Sequence, residues 1–231
     1  NLKSKYLIII LAVIIIKINF SINVKAEEYS RFNNISIEDG LSQATVETMM
    51  QDSKGYIWLG TNDGLDRYNG YTFKKYSYEK GQENSLVNSY ILDIKEDSEG
   101  NIWVATAAGI SKIYDDGEKV QNYTSDSESG NLSNDNTATL LISSSNKIYV
   151  GTAEGINLYD KKTDKFNLIY PELKEEYVNS LAEDKYGNIW AGTENGLYKI
   201  NVVTNAIERF ESTDDVNTIS ENYIYKVYYD G

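Results

Sequence analysis

Three aspartates, Asp52, Asp97 and Asp184, each open a turn that leads into an aromatic strand. Carboxylates in such a set could hold calcium or serve as the paired acids of a glycoside hydrolase. They fall in separate repeats, however, and lack the ligand spacing of a calcium loop. Each reads instead as a turn-former whose side chain accepts a local backbone N–H. A second set suits other chemistry. Asn62, Asp63, Glu154, Glu194 and Asn195 occupy variable turn positions, and Tyr76, Tyr78 and Tyr90 flank a long connector. Amides, carboxylates and aromatic faces together match sugar hydroxyls and ring faces. These eight are the candidate ligand-binding residues, although a solvated turn carries the same residue types.

Much other chemistry is excluded at the outset. The 231 residues contain no Cys and no His. A disulfide framework, a zinc-finger or zinc-hydrolase site, a Ser-His-Asp triad and a Cys nucleophile are therefore absent. No dinucleotide or P-loop glycine pattern occurs, and neither a cofactor nor a metal is expected. Arg31, Arg67 and Arg209 are the only arginines. Arg31 and Arg209 hold equivalent positions in different repeats, so they do not converge as a sialidase-like site would need. No catalytic residue is expected in this segment.

The elements that position these residues come from one phrase written four times. It runs Asp52–Leu65, Asp97–Ile110, Ser143–Ile156 and Asp184–Leu197. Its central aromatics, Trp58, Trp103, Tyr149 and Trp190, lie 45, 46 and 41 residues apart. Each repeat reads as four short strands; in the last they are Val178–Asp184, Asn188–Thr193, Gly196–Asn201 and Ala206–Glu211. The first turn needs a left-handed residue, supplied by Gly55, Gly100 and Gly187, with Asn146 in the third repeat. The second turn, Thr-x-x-Gly, ends on Gly64, Gly109, Gly155 and Gly196, as a tight hairpin demands.

The second strand is apolar on both faces, which implies a sheet covered on both sides. Gly60, Ala105, Gly151 and Gly192 follow the aromatic by two residues, so they share its face. This small residue is expected to leave room for a bulky side chain from the adjoining sheet. Four-stranded sheets that recur every ~45 residues are blades of a β-propeller. A β-solenoid has shorter coils without this four-strand unit. The expected fold is thus all-β: an incomplete propeller of about four and a half repeats, at about 41–77, 86–124, 137–170 and 177–211. A fifth starts at 219–231, where Asp230 follows Asp184 by 46 residues. Residues 29–33 read as a lone outer strand, comparable with Ile207–Phe210. A ring of about seven blades would take about 315 residues, so the chain reads as a fragment.

The N-terminus is a separate element. Lys3 and Lys5 precede the apolar run Leu7–Ile16, too short for a membrane span of about 20 residues but suited to a secretory signal. Residues 1–26 are either a signal peptide cleaved before Glu27 or an uncleaved anchor that continues past Lys17. Both place residues 27–231 outside the cytoplasm, in the periplasm or at the cell surface. Residues 1–26 hold four of the 22 basic residues and no acid, which leaves 18 against 35 acidic residues, net −17. Such a surface repels nucleic acid and anionic membranes.

The phrase Asp-x-x-Gly-x-Ile-Trp-x-Gly-Thr-x-x-Gly-Leu resembles the two-component regulator propeller repeat. The connectors Asn84–Ile91 and Asn217–Ile224 resemble the segment that precedes it in that family. The likeness extends over residues 29–231; the third repeat departs most, with Tyr149 for Trp and Ser143 for Asp. The resemblance implies an extracytoplasmic sensor input for a membrane-spanning histidine kinase or diguanylate cyclase. It further implies an extracellular small molecule or glycan fragment as ligand, a membrane span beyond residue 231, and a homodimer of the full-length protein. Two other readings stay open: a secreted scaffold that binds a protein, and a carbohydrate-active propeller enzyme.

Overall fold

The computed structural model describes residues 34–126 and 131–230. Each repeat opens on a turn that its own side chains clamp. Asp52 Oδ1 accepts the backbone N–H groups of Lys54 and Tyr56, at 3.0 and 2.8 Å. The next turn is closed by its threonine: Thr61 Oγ1 donates to Gly64 O at 2.8 Å and accepts from Asp63 N at 3.1 Å. The same pair recurs at Thr106, Thr152 and Thr193. Gly64 sits at φ +126°, and a Cβ there would lie 2.9 Å from Tyr76 O. Only glycine fits.

These turns join four antiparallel sheets, each with its strands in sequential order. Blade one holds β1 (Val46–Gln51), β2 (Ile57–Thr61), β3 (Gly64–Tyr68) and β4 (Phe73–Tyr76). Blade two holds β5 (Ile91–Glu96), β6 (Ile102–Thr106), β7 (Gly109–Ile113) and β8 (Val120–Tyr123). Blade three holds β9 (Thr137–Ile142), β10 (Ile148–Thr152), β11 (Gly155–Asp160) and β12 (Lys165–Ile169). Blade four holds β13 (Val178–Glu183), β14 (Ile189–Thr193), β15 (Gly196–Ile200) and β16 (Ile207–Phe210). Two 3-10 turns, Ile37–Asp39 and Pro171–Leu173, complete the regular elements. The fold is an all-β set of propeller blades.

The first strands β1, β5, β9 and β13 pack successively against one another and form the inner side. The second strands are covered on both faces: β6 and β10 are buried throughout. The small residues of the second strands in blades one and three do meet the next blade. A Cβ on Gly60 would lie 2.6 Å from Ile91 Cγ2, and one on Gly151 2.8 Å from Val178 Cγ1. Ile91 and Val178 each begin the inner strand of the following blade. Blade two carries Ala105 instead, and the equivalent first residue of β9 is the smaller Thr137. Volume is conserved across the contact, as dense packing requires.

Polar staples fix the blades in register. Asp93 Oδ2 on β5 accepts Leu140 N on β9 at 2.9 Å. Glu96 accepts both the backbone N and the hydroxyl of Ser53, at 2.7 and 2.6 Å. Glu183 treats Ser144 the same way, at 2.6 and 3.0 Å.

The segment expected to open a fifth blade forms no strand over 221–230. It nonetheless docks where the preceding blades receive an inner strand. Ile224 N donates to Thr193 O at 2.8 Å and Val227 N to Ser180 Oγ at 3.0 Å. Ile224 Cγ2 would meet a Cβ on Gly192 at 2.6 Å. Strand status needs a ladder partner, and this segment has none among the described residues. The apolar run Leu7–Ile16 and the outer strand at 29–33 lie outside the described residues. Among those described, no helix is long and apolar enough to cross a membrane.

Candidate functional site

Every inner strand carries one irregularity at the same place. Pairing of β1 with β2 skips a residue between Val46 and Thr48, leaving Glu47 as a bulge. The same skip leaves Leu92 between Ile91 and Asp93, and Asn179 between Val178 and Ser180. In blade three it leaves Ala138, between Thr137 and Thr139. A bulge turns its side chain out of the regular alternation. All four of these residues line a single cavity of about 410 Å³ on the inner side.

The rest of the lining comes from blade four and the segment after it: Tyr177, Tyr223, Tyr225 and Lys226. Tyr177 immediately precedes β13, and its hydroxyl donates to Asn136 Oδ1 at 3.1 Å, which fixes the ring beside the mouth. Burial raises the Tyr177 phenol above its ordinary range. Asn179 Nδ2 donates to Ile224 O at 3.2 Å. Tyr223 and Tyr225 are 52% and 77% exposed, so their faces are open to a solute. The cavity thus presents phenol rings, one amide, the Glu47 carboxylate and the Lys226 ammonium around the apolar Leu92 and Ala138. Chemically, such rings can cover apolar faces of a solute while the amide and charged groups can hydrogen-bond to hydroxyls. Among the described residues, no group of three His, Cys, Asp or Glu is placed to hold a metal ion.

None of the eight residues expected from sequence lines this cavity. Asn62, Asp63, Glu194 and Asn195 are exposed turn residues, and Glu154 is half-buried with Asn134 Nδ2 donating to it at 3.1 Å. Asn195 Nδ2 donates to Glu176 Oε2 at 3.1 Å. Tyr78 and Tyr90 are 52% and 39% exposed. Tyr90 immediately precedes β5, as Tyr177 precedes β13. Tyr76 is a correction. It is buried, its ring stacks on Trp58 at 5.5 Å and its hydroxyl donates to Gly117 O at 3.1 Å. Alternation along β4 turns it inward, where it joins blades one and two.

The aspartates are structural in a way the spacing alone did not reveal. Asp52 Oδ2 accepts Trp58 Nε1 at 2.7 Å, and Asp97 and Asp184 accept Trp103 and Trp190 at 2.8 and 3.0 Å. Burial acts to raise the Asp184 carboxyl. Hydrogen bonds from Asn188, Trp190 and the Tyr186 backbone outweigh it and hold the group down at about 2.

Comparisons with known proteins fit this geometry. Residues 40–63, 85–108 and 172–195 match the two component regulator propeller model. Each stretch runs from the connector through the first two strands to the Thr-x-x-Gly turn. A stretch of 57 residues is 42% identical to Histidine kinase P4 of Formosa agariphila, which covers 24% of this chain and 4% of that protein. The fold is shared with the extracellular domain of a hybrid two component system protein from B. thetaiotaomicron, at 20% identity and TM-score 0.51. That match covers 78% of this chain and 32% of the other. Streptogramin B lyase shares it at 16% identity and TM-score 0.61, over 79% of this chain and 59% of the lyase. So does PorZ, a surface component of the type-IX secretion system of Porphyromonas gingivalis, at 15% identity and TM-score 0.60, over 85% of this chain and 31% of PorZ. At these identities the structural likenesses establish the fold alone, and this chain spans less than two thirds of each of these proteins. The opening halves of blades one, two and four of this chain thus match the two component regulator propeller repeat.

Proposed function

We propose that this chain is the extracytoplasmic input domain of a membrane-spanning signalling protein of the two-component type, and that it binds a solute without transforming it. The observation that carries this reading is the convergence of four inner-strand bulges on one cavity whose rim is tyrosine-rich. A glycan fragment is the favoured class, since exposed phenol rings, an amide and opposite charges suit hydroxyl-rich rings. The relation to a histidine kinase and the fold shared with a two-component extracellular domain support the signalling role. Output through a kinase or cyclase domain, a C-terminal membrane span and a homodimer belong to the same proposal. So does export through the N-terminal segment.

A lyase reading has less support. In virginiamycin B lyase, a propeller of similar fold, a histidine-to-alanine variant is catalytically inactive. This chain contains no histidine, so that chemistry has no counterpart here. The reading is tested by calorimetric titration of neutral and acidic oligosaccharides. Binding is expected, and Tyr225→Ala should weaken it by at least about tenfold, as loss of a stacking face does. Binding that survives both Tyr225→Ala and Asn179→Ala unchanged would remove the cavity from the account. Capture of a protein with no oligosaccharide bound would favour the scaffold reading.

A further inference from the structure

The interface between blades three and four contains a gap that the first two interfaces fill with a tyrosine. Tyr76 lies on Trp58 and its hydroxyl donates to the backbone oxygen of Gly117, the left-handed residue (φ +71°) of the β7–β8 turn. Tyr123 repeats this. It stacks on Trp103 at 5.8 Å, and its hydroxyl donates to Asp164 Oδ1 at 2.7 Å, again at a left-handed turn residue (φ +55°) of the next blade. In blade three the equivalent fourth-strand residue is Ile169, and the left-handed turn residue opposite is Asn205 (φ +57°).

Between them lies a cavity of about 460 Å³, with Tyr149, Leu158, Ile169, Tyr170, Val202 and Asn205 in its wall. Tyr149 is 2% exposed. Its hydroxyl has no hydrogen-bond partner among the described residues and opens into this cavity, where a ligand can meet it. Burial pushes this phenol up to about 12, so it remains a donor at neutral pH. The Asn205 side-chain amide also makes no hydrogen bond among the described residues.

We propose that this cavity binds a small phenol. Its ring would sit where the rings of Tyr76 and Tyr123 sit in the other interfaces, and its hydroxyl would meet the Asn205 amide. Leu158, Ile169, Val202 and the Tyr170 ring offer apolar contact to a ring, while Asn205, the unpaired Tyr149 hydroxyl, Lys147 and Glu172 can meet polar substituents. The volume accommodates one substituted ring. This site is separate from the inner cavity and does not rest on the sensory reading.

The test is calorimetric titration of the full chain with p-cresol, 4-methylanisole and cyclohexanol. The expected result is p-cresol binding, about fivefold weaker binding of 4-methylanisole for want of the hydroxyl proton, and none of cyclohexanol. Ile169→Tyr supplies the ring from the chain itself, and should raise the unfolding midpoint and abolish p-cresol binding. Asn205→Gly keeps the left-handed turn and should weaken p-cresol by about fivefold. The proposal is overturned if p-cresol does not bind, if cyclohexanol binds as well, or if Ile169→Tyr binds p-cresol unchanged.

Discussion

Blades two and three occupy neighbouring places in the fold yet close their first turn by different chemistry. In blade two, Asp97 Oδ1 accepts from Glu99 N and Asn101 N, while Oδ2 accepts the indole N–H of Trp103 at 2.8 Å. In blade three, Ser143 Oγ accepts the Lys147 backbone N–H at 3.0 Å and shares a hydrogen bond with Ser145 Oγ at 3.0 Å, and Tyr149 has no indole to offer. Donor and acceptor have been lost together. A buried indole N–H facing a serine would be left unsatisfied, and a buried carboxylate facing a phenyl wall would be worse. The change also reaches outward, since the stacking ring of β8, Tyr123, becomes Ile169 on β12. The repeat tolerates replacement of a linked set of residues more readily than replacement of one member.

The largest expected effect is removal of the blade-two anchor. Trp103 is fully buried among Tyr123, Tyr159 and Phe166. Trp103→Ala should cost about 3–5 kcal/mol in urea unfolding, and a loss under about 1 kcal/mol would mean the blade does not depend on its aromatic core. Next comes Gly192→Val, expected to cost about 1–3 kcal/mol because the branched side chain would strike Ile224 and Val227. An unchanged midpoint would show that the segment after blade four does not dock there.

The comparison itself is sharpened by a double-mutant cycle. Asp97→Ser alone should cost about 1–3 kcal/mol by orphaning the indole. Asp97→Ser with Trp103→Tyr should cost less than the sum of the two single changes, by about 0.5–3 kcal/mol. Strict additivity would break the idea of a linked pair. The smallest effect is a pH dependence at the Asp184 turn. The Asp184 carboxyl is lowered from 3.8 to about 2, so its stabilisation is present above pH 3.8 and fades as pH falls towards 2. Amide exchange between pH 4 and 2 should rise around the Asp184 turn, and Asp184→Asn should flatten that rise.

How far the sequence carried these conclusions differs between fold and site. The blades were legible because their signals are local and repeated: a turn aspartate, a left-handed glycine and a Thr-x-x-Gly clamp within about a dozen residues. The small residue after each aromatic also proved a close-approach point, as Gly60 and Gly151 show. The inner cavity was not legible. Glu47, Leu92, Ala138 and Asn179 share a fixed offset from the aromatic but no chemical type, so residue identity cannot flag them. Only that offset, extended to Tyr225, could have found the set. Tyr76 misled for the opposite reason: it looks like a rim aromatic, and the pairing of β4 with β3 turned it into the core.

What the amino-acid order decided unaided is everything set by neighbours along the chain, because turn dihedrals, strand alternation and the Asp-to-Trp clasp act over six residues or fewer. What the tertiary structure alone decided is everything that depends on how one blade lies against the next. Contacts such as Asp93 to Leu140, or Tyr123 to Asp164, join residues more than forty positions apart. Their geometry follows from sheet twist and packing volume, which no short stretch of sequence contains.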